Sequence, residues 1–141
     1  MKIAYTARAT ANGGGREGLS KTDDGRVTVT LATPTEMGGT GKGTNPEQLF
    51  ATGYAGCYLG AMRYAAGQAK IDMSSDATVS SHVSIGPRDD GSGFGLEVTL
   101  DVALPGMTKA AAEDLAKRGH IVCPYSHSIM KTVNVKTNVS V

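Results

Sequence analysis

Residues 45–69 read NPEQLFATGYAGCYLGAMRYAAGQA, and this stretch decides the fold. Asn45 is suited to cap a helix, Pro46 suits its first position, and Glu47 favours the positive end of the helix dipole. No further proline follows, and Ala, Gly, Leu, Tyr and Met dominate the rest of the stretch. The sequence therefore predicts a helix from Pro46 to about Ala69, roughly 35 Å long and buried on most of its surface.

Gly56 and Gly60 form a notch of small residues on this helix, because they lie four positions apart. In a folded protein such a notch lets another helix or a sheet approach closely. One chain of this size is short for wrapping so long an apolar helix, so we predict a homodimer. A membrane-spanning helix is disfavoured, because four polar residues interrupt the apolar run: Glu47, Gln48, Arg63 and Gln68.

Alternating apolar and polar residues predict strands on both sides of the helix. Residues 79–85 and 94–104 alternate strictly and are separated by a turn at 87–93, which predicts an antiparallel hairpin with one buried face. Residues 3–7 and 27–31 predict two shorter strands, and the valines of 133–141 predict a last one, with Thr137 as a polar member of their apolar face.

A short helix is predicted between the hairpin and the last strand. Thr108 is suited to cap it, and it should run to Arg118 with Gly119 as its C-terminal glycine. The element order therefore predicts an α+β fold, with an antiparallel sheet packed on one long central helix. With 141 residues, 40% of them hydrophobic, the chain is expected to form a single domain over residues 1–141.

Charge and composition argue against several classes of partner. The net charge is +1, with no run of like charges, so neither a nucleic acid nor an anionic membrane surface is expected as a partner. Only 5% of residues are aromatic and Trp is absent, which disfavours a base-stacking platform. The N-terminus lacks the pattern of a secretory signal, so we expect a cytoplasmic protein.

The 2 cysteines, Cys57 and Cys123, are the candidate reactive groups. A lasting structural disulfide would be unusual in the cytosol, so each cysteine is an inert core residue, a metal ligand or a catalytic group. Cys57 lies on the apolar helix, where core packing is the simplest interpretation. Cys123 precedes Pro124 directly after a predicted helix, so we expect its thiol at an accessible turn. His120, Cys123 and His127 could alternatively join Cys57 around zinc.

Several motifs together resemble one family. NPEQLFA at 45–51, GYAGC at 53–57 and VCPYS at 122–126, with GGREG at 14–18 and Gly38-Gly39, are similar to the organic hydroperoxide resistance proteins of the osmotically inducible protein C superfamily. The similarity covers nearly the whole chain, including the hairpin and last strand. It departs at His127, Ser128, Ile129 and Met130, where Asn-Ala-Thr-Arg is frequent, a difference that concerns contacts near Cys123 rather than the chemistry.

The resemblance implies an intertwined homodimer and a thiol peroxidase. Cys57 would be the peroxidatic cysteine and Cys123 the resolving one, with Arg16 stabilising the thiolate and Glu47 orienting Arg16. Glu47 and Cys57 lie 10 positions apart in the sequence and so on about the same helix face, but about 15 Å apart along its axis. A long side chain such as arginine could bridge much of that gap.

The chemistry explains why a cation is needed. Peroxide cleavage requires a thiolate, and a free thiol of pKa about 8.5 is mostly protonated at neutral pH. An apolar pocket alone raises the pKa of a thiol, whereas a nearby guanidinium lowers it. Attack by Cys57 would release an alcohol and leave a sulfenic acid, which Cys123 would convert to a disulfide.

The resemblance also implies the reductant, namely dihydrolipoamide on a lipoylated protein rather than a bound flavin or nicotinamide. The glycine-rich loops lack the dinucleotide and P-loop patterns, so no cofactor is expected. Phe50, Met62 and Tyr125 are candidates for the wall of a pocket for alkyl or fatty acyl hydroperoxides, with core packing as the alternative for Phe50 and Met62. Two other functions stay open: a peroxidase that also uses hydrogen peroxide, and a thiol sensor that does not turn over.

Overall fold

The computed structural model describes all 141 residues, which fall into two compact units, Met1–Leu49 and Phe50–Val141. The long helix, α1, begins at Pro46 in the first unit and ends at Ala69 in the second. Each unit has one three-stranded sheet. The α+β class predicted from the sequence is confirmed, and the expectation of one domain stays a prediction.

The N-terminal unit is built on an antiparallel sheet of β1 (Ala9–Asn12), β2 (Leu19–Thr22) and β3 (Thr28–Thr30). The strand predicted at 27–31 is therefore confirmed in its centre, whereas the one predicted at 3–7 is wrong, because pairing begins only at Ala9. Residues 3–7 are exposed, so their alternating pattern has no sheet face to cover in this chain. A short 3-10 turn, Thr35–Met37, follows β3.

Helix α1 begins at Pro46, as Asn45 and Pro46 predict. The side-chain oxygen of Asn45 accepts a hydrogen bond from the backbone N–H of Gln48 at 2.9 Å, which caps the helix, and Pro46 occupies its first position. None of the helices is long and apolar enough to cross a membrane.

The C-terminal unit has a mixed sheet with β5 in its centre. The hairpin of β4 (Thr78–Pro87) and β5 (Phe94–Ala103) is antiparallel as predicted, but β6 (Asn134–Ser140) runs parallel to β5. The parallel pairing requires a crossover, which α2 (Lys109–Val122) and α3 (Pro124–Ile129) supply.

The core of this unit joins one stripe of α1 to the inward face of the sheet. The buried residues of the stripe are Tyr54, Tyr58, Ala61, Met62, Ala65 and Ala66. They share one core cluster with Val98, Leu100 and Val102 of β5 and with Leu115 of α2. The expectation that α1 is buried on most of its surface is wrong for one chain, since Gly56, Gly60 and Tyr64 are exposed.

Gly119 does not end α2, contrary to the prediction. Thr108 caps the helix as expected, but the helix continues to Val122. A β-carbon at Gly119 would come 2.6 Å from Cγ of Met62, so the glycine lets α2 pack closely on α1 inside the core. At Gly56 and Gly60 an added β-carbon would meet nothing within 4 Å, so the notch is open in this chain.

Candidate active site

The two cysteines meet in the C-terminal unit. Sγ of Cys57 on α1 lies 3.5 Å from Sγ of Cys123, and both thiols are free. A disulfide requires the sulfurs to approach to about 2.05 Å, so a shift of about 1.5 Å would join them. The structure therefore places together the two residues that can form a redox pair.

Cys123 is buried, so the expectation of an accessible thiol at this position is wrong. It is the joint between α2 and α3, ending the first helix and preceding Pro124 at the start of the second. Its extended backbone turns the side chain into the core, where none of its surface is exposed. Cys57 is partly exposed, which makes it the sulfur that a substrate can reach first.

The surroundings of Cys57 within this unit disfavour the thiolate. Burial raises the pKa of the Cys57 thiol, the hydrogen bond with Cys123 acts in the same direction, and the backbone N–H of Tyr125 lowers the pKa by donating to the sulfur. The net direction is upward, opposite to the one that peroxide chemistry needs. A cation is therefore required for Cys57 to react as a thiolate near neutral pH.

Arg16 and Glu47 form a second pair, in the N-terminal unit. Nη1 and Nη2 of Arg16 donate to the two carboxylate oxygens of Glu47 at 3.1 and 2.5 Å. The hydrogen bonds from Arg16 hold the pKa of Glu47 below its usual range, and Glu47 raises that of Arg16. Nε of Arg16 is buried without a partner, so one N–H of the fork remains free to donate.

The loop that carries Arg16 is fixed by its neighbours. It connects β1 to β2, and Glu17 accepts a hydrogen bond from the backbone N–H of Thr33 at 2.7 Å. A β-carbon at Gly18 would lie 1.9 Å from the carbonyl oxygen of Asn12, so only glycine fits there. The GGREG motif is thus a tight loop that holds Arg16 beside the first turn of α1. That helix carries one member of each pair, Glu47 and Cys57.

Aromatic side chains surround the cysteine pair within the C-terminal unit. The rings of Phe50 and Tyr125 stack with centroids 5.8 Å apart and planes 8° apart, and Tyr54 lies 5.8 Å from both. Tyr125 is 39% exposed and can face a substrate, whereas Met62 has no exposed surface. Of the three candidates for a pocket wall, Met62 therefore occupies a core position facing Gly119.

A buried polar network lies behind Cys123, and the sequence did not predict it. The hydroxyl of Ser126 on α3 is 2.8 Å from the Tyr54 hydroxyl and 2.9 Å from Nδ1 of His120. Nε2 of His120 is 2.8 Å from the Thr137 hydroxyl on β6. Burial lowers the pKa of His120, so its ring is neutral at neutral pH.

The structure does not bring the predicted zinc ligands His120, Cys123, His127 and Cys57 together around one point. No three His, Cys, Asp or Glu side chains are arranged to hold a metal ion. His120 has both ring nitrogens engaged by hydroxyl groups, and His127 is exposed on α3. The departure from the family pattern at 127–130 is accommodated at the end of α3, where Ser128 donates to the Pro124 carbonyl oxygen at 2.8 Å.

Comparison with known proteins agrees with the fold and the motifs. The family model described as OsmC-like protein matches residues 39–138. An organic hydroperoxide resistance protein of Xanthomonas axonopodis pv. citri is 46% identical, with 95% of this chain and 93% of the relative covered. The organic hydroperoxide resistance protein OhrB of Bacillus subtilis is 36% identical, with coverage of 94% and 95%.

Solved structures include the same kind of protein. A crystal structure of an organic hydroperoxide resistance protein from Legionella pneumophila has a TM-score of 0.93 and 44% identity, covering 99% of this chain and all of the other. The two sheets, the long helix and the cysteine motifs thus define an α+β protein with the OsmC-like fold. The chain belongs to the OsmC-like family, and its relatives there include the organic hydroperoxide resistance proteins.

Proposed function

We propose that this chain is a thiol peroxidase that reduces organic hydroperoxides to alcohols. The observation that carries the proposal is the 3.5 Å separation of two free cysteine sulfurs, one partly exposed and one buried. The names of the Xanthomonas and Bacillus relatives support organic hydroperoxides as the substrate class. The proposal also includes a cytoplasmic location, where the reducing environment can reopen a disulfide formed during turnover.

In the proposed cycle Cys57 attacks the hydroperoxide and Cys123 then attacks the oxidised Cys57. The Cys57 thiolate attacks one peroxide oxygen, the O–O bond breaks, and the alkoxide takes a proton and leaves as the alcohol. Cys57 is now a sulfenic acid, and Cys123 displaces its oxygen as water to form the disulfide. An external dithiol then exchanges with the disulfide, becoming a disulfide itself and returning both protein thiols. Two electrons thus pass from the dithiol to the hydroperoxide.

Arg16 is proposed as the cation that favours the Cys57 thiolate. Its guanidinium stays charged at neutral pH, and the two hydrogen bonds that it donates to Glu47 fix its plane while Nε remains without a partner. The assignment rests on the resemblance of GGREG and NPEQLFA to the family motifs. A guanidinium near Cys57 would also lower the pKa of its thiol, which its surroundings within the C-terminal unit raise.

The substrate's organic group is proposed to contact Phe50 and Tyr125. These stacked rings offer an apolar surface beside Cys57, where an alkyl or fatty acyl chain would be shielded from water. The reductant is proposed to be dihydrolipoamide, free or on a lipoylated protein, by resemblance to the family.

Coupled turnover tests the function. The assay measures loss of cumene hydroperoxide with dihydrolipoamide as reductant, and compares the kcat/KM with that for hydrogen peroxide. A large preference for cumene hydroperoxide is expected, because only this substrate has apolar surface to bury. Equal efficiencies would favour the broader peroxidase, whereas one disulfide per protein without continued turnover would favour the sensor.

Cys123→Ser should consume the first equivalent of hydroperoxide rapidly and then lose catalytic turnover. Cys57 would still form its sulfenic acid, but no thiol would remain to resolve it, so excess peroxide should drive Cys57 to sulfinic and sulfonic acids. Mass spectrometry of the intact protein measures both products. If the variant instead turned over continuously with a dithiol as the only reductant, and Cys57 were not overoxidised, the resolving role of Cys123 would be contradicted.

We also propose that the protein is a homodimer, intertwined as in the family it resembles. The exposed face of α1 supports this, since Gly56 and Gly60 are open and Tyr64 beside them is 60% exposed. Gly60→Leu should weaken the dimer by filling the notch, whereas Ala111→Leu, on the exposed side of α2, should not. Sedimentation velocity at micromolar concentration measures both, and a monomeric wild-type protein would contradict the proposal.

A further inference from the structure

The polar network behind Cys123 connects four elements of the C-terminal unit. Tyr54 lies on α1, His120 on α2, Ser126 on α3 and Thr137 on β6, with three hydrogen bonds of 2.8 to 2.9 Å between them. Ser126 has no exposed surface, so its hydroxyl depends entirely on Tyr54 and His120 for partners. A buried hydroxyl that loses its hydrogen-bond partner destabilises the folded arrangement, so Ser126 favours the one geometry in which both partners are present.

This network is anchored close to both cysteines. Tyr54 precedes Cys57 by one turn of α1, and Ser126 follows Cys123 by three residues in α3. The Tyr54–Ser126 hydrogen bond therefore joins the helix of one cysteine to the segment of the other. His120 fixes Ser126 from the opposite side and is itself held by Thr137 and by the Tyr58 ring, 4.5 Å away.

We propose that His120 is a positioning residue for the Cys57–Cys123 disulfide. Through Ser126 it holds the joint that carries Cys123, and so keeps the two sulfurs at the 3.5 Å separation from which bond formation needs only a small shift. Thiols held in this way have a high effective concentration toward each other. Releasing Ser126 lowers that concentration and makes the disulfide less favourable relative to the dithiol.

Two substitutions of His120 separate this role from ordinary packing. The amide of an asparagine occupies about the place of Nδ1, so His120→Asn retains a partner for Ser126. The amide of a glutamine reaches about the place of Nε2, so His120→Gln retains a partner for Thr137 only. The exposed neighbour of Ser126 supplies the matched control, His127→Gln.

The readout is the thiol–disulfide equilibrium of the full-length protein with reduced and oxidised dithiothreitol. Protein dithiol and oxidised dithiothreitol exchange to protein disulfide and reduced dithiothreitol, with no other reactant. His120→Gln and Ser126→Ala should lower the equilibrium constant for disulfide formation by about tenfold, whereas His120→Asn should stay within about threefold of the wild type and His127→Gln should not change it. Thermal unfolding of each variant reports its folding separately.

Equal loss in His120→Asn and His120→Gln would overturn the proposal, because a packing role does not distinguish the two nitrogens. An unchanged constant in His120→Gln and Ser126→Ala would overturn it as well. The inference rests on the redox pair of the proposed function, but its test uses no hydroperoxide. A wild-type protein that forms the disulfide with dithiothreitol yet fails to consume hydroperoxide would end the proposed function and leave the role of His120 standing.

Discussion

Cys57→Ser should abolish hydroperoxide turnover. A serine hydroxyl ionises at a far higher pH than a thiol and cannot pass through the sulfenic acid and disulfide states, so we expect kcat/KM to fall by about a thousandfold or more. The loss is measured as consumption of cumene hydroperoxide with dihydrolipoamide present. Circular dichroism checks that the fold survives the substitution of one oxygen for one sulfur.

The comparison with Cys123→Ser makes this result specific. Both variants remove one sulfur from the same pair, but only Cys57→Ser should lose the first reaction with hydroperoxide. If Cys57→Ser instead retained a single fast reaction and Cys123→Ser lost it, the order of the two cysteines would be reversed. Full turnover in Cys57→Ser would end the thiol peroxidase proposal.

Arg16→Ala should raise the pKa of Cys57 and slow its attack on hydroperoxide. With Arg16 in place we expect the pKa of Cys57 to lie below that of a free thiol, because the guanidinium favours the thiolate. Without it, burial keeps the pKa of Cys57 raised and the thiol mostly protonated at pH 7, so the rate of the first step should fall by about tenfold or more. The pH dependence of Cys57 alkylation, measured in a Cys123→Ser background, reports the pKa directly.

The charge and the geometry of Arg16 have separate tests. Arg16→Lys keeps the charge but not the fork that meets both carboxylate oxygens, so an intermediate rate is expected. Glu47→Gln should have a similar effect by loosening the fork. Arg8→Ala is the matched control, because Arg8 belongs to the same unit and pairs with Asp23 on the surface. An unchanged Cys57 pKa in Arg16→Ala would contradict the assignment.

The central helix and the hairpin could be predicted because their signals are local. Asn45 and Pro46 mark the start of α1, and nothing in the sequence before Ala69 breaks it. The strict alternation in the hairpin matches the inward face that Val98, Leu100 and Val102 form in β5. In both cases the residues that decide the structure lie within or next to the element itself.

The errors arose where a tertiary contact decides the structure. Gly119 has the sequence position of a helix terminus, but it is a contact with Met62 that requires a glycine there. The segment 3–7 alternates like a strand, yet nothing in this chain pairs with it. Strand β2 was not predicted, since Leu19–Thr22 carries little apolar pattern and is defined by pairing with β1 and β3.

The candidate site was only partly accessible to reasoning from residue types. Position alone suggested an inert Cys57 and an exposed Cys123, and the structure shows the reverse order of exposure. The family motifs pointed to Arg16 and Glu47, which the structure joins by two hydrogen bonds. The His120 network was missed, although Thr137 gave a signal for it: a polar residue on an apolar strand face requires a buried partner.

The most direct test of the thiol peroxidase proposal is a single-turnover titration of the fully reduced protein with cumene hydroperoxide, followed by peptide mapping. The proposal predicts one molecule of alcohol and one Cys57–Cys123 disulfide for each hydroperoxide consumed, with the protein losing two hydrogen atoms. Hydroperoxide consumption that leaves both thiols intact, or a reduced protein that consumes none, would contradict it.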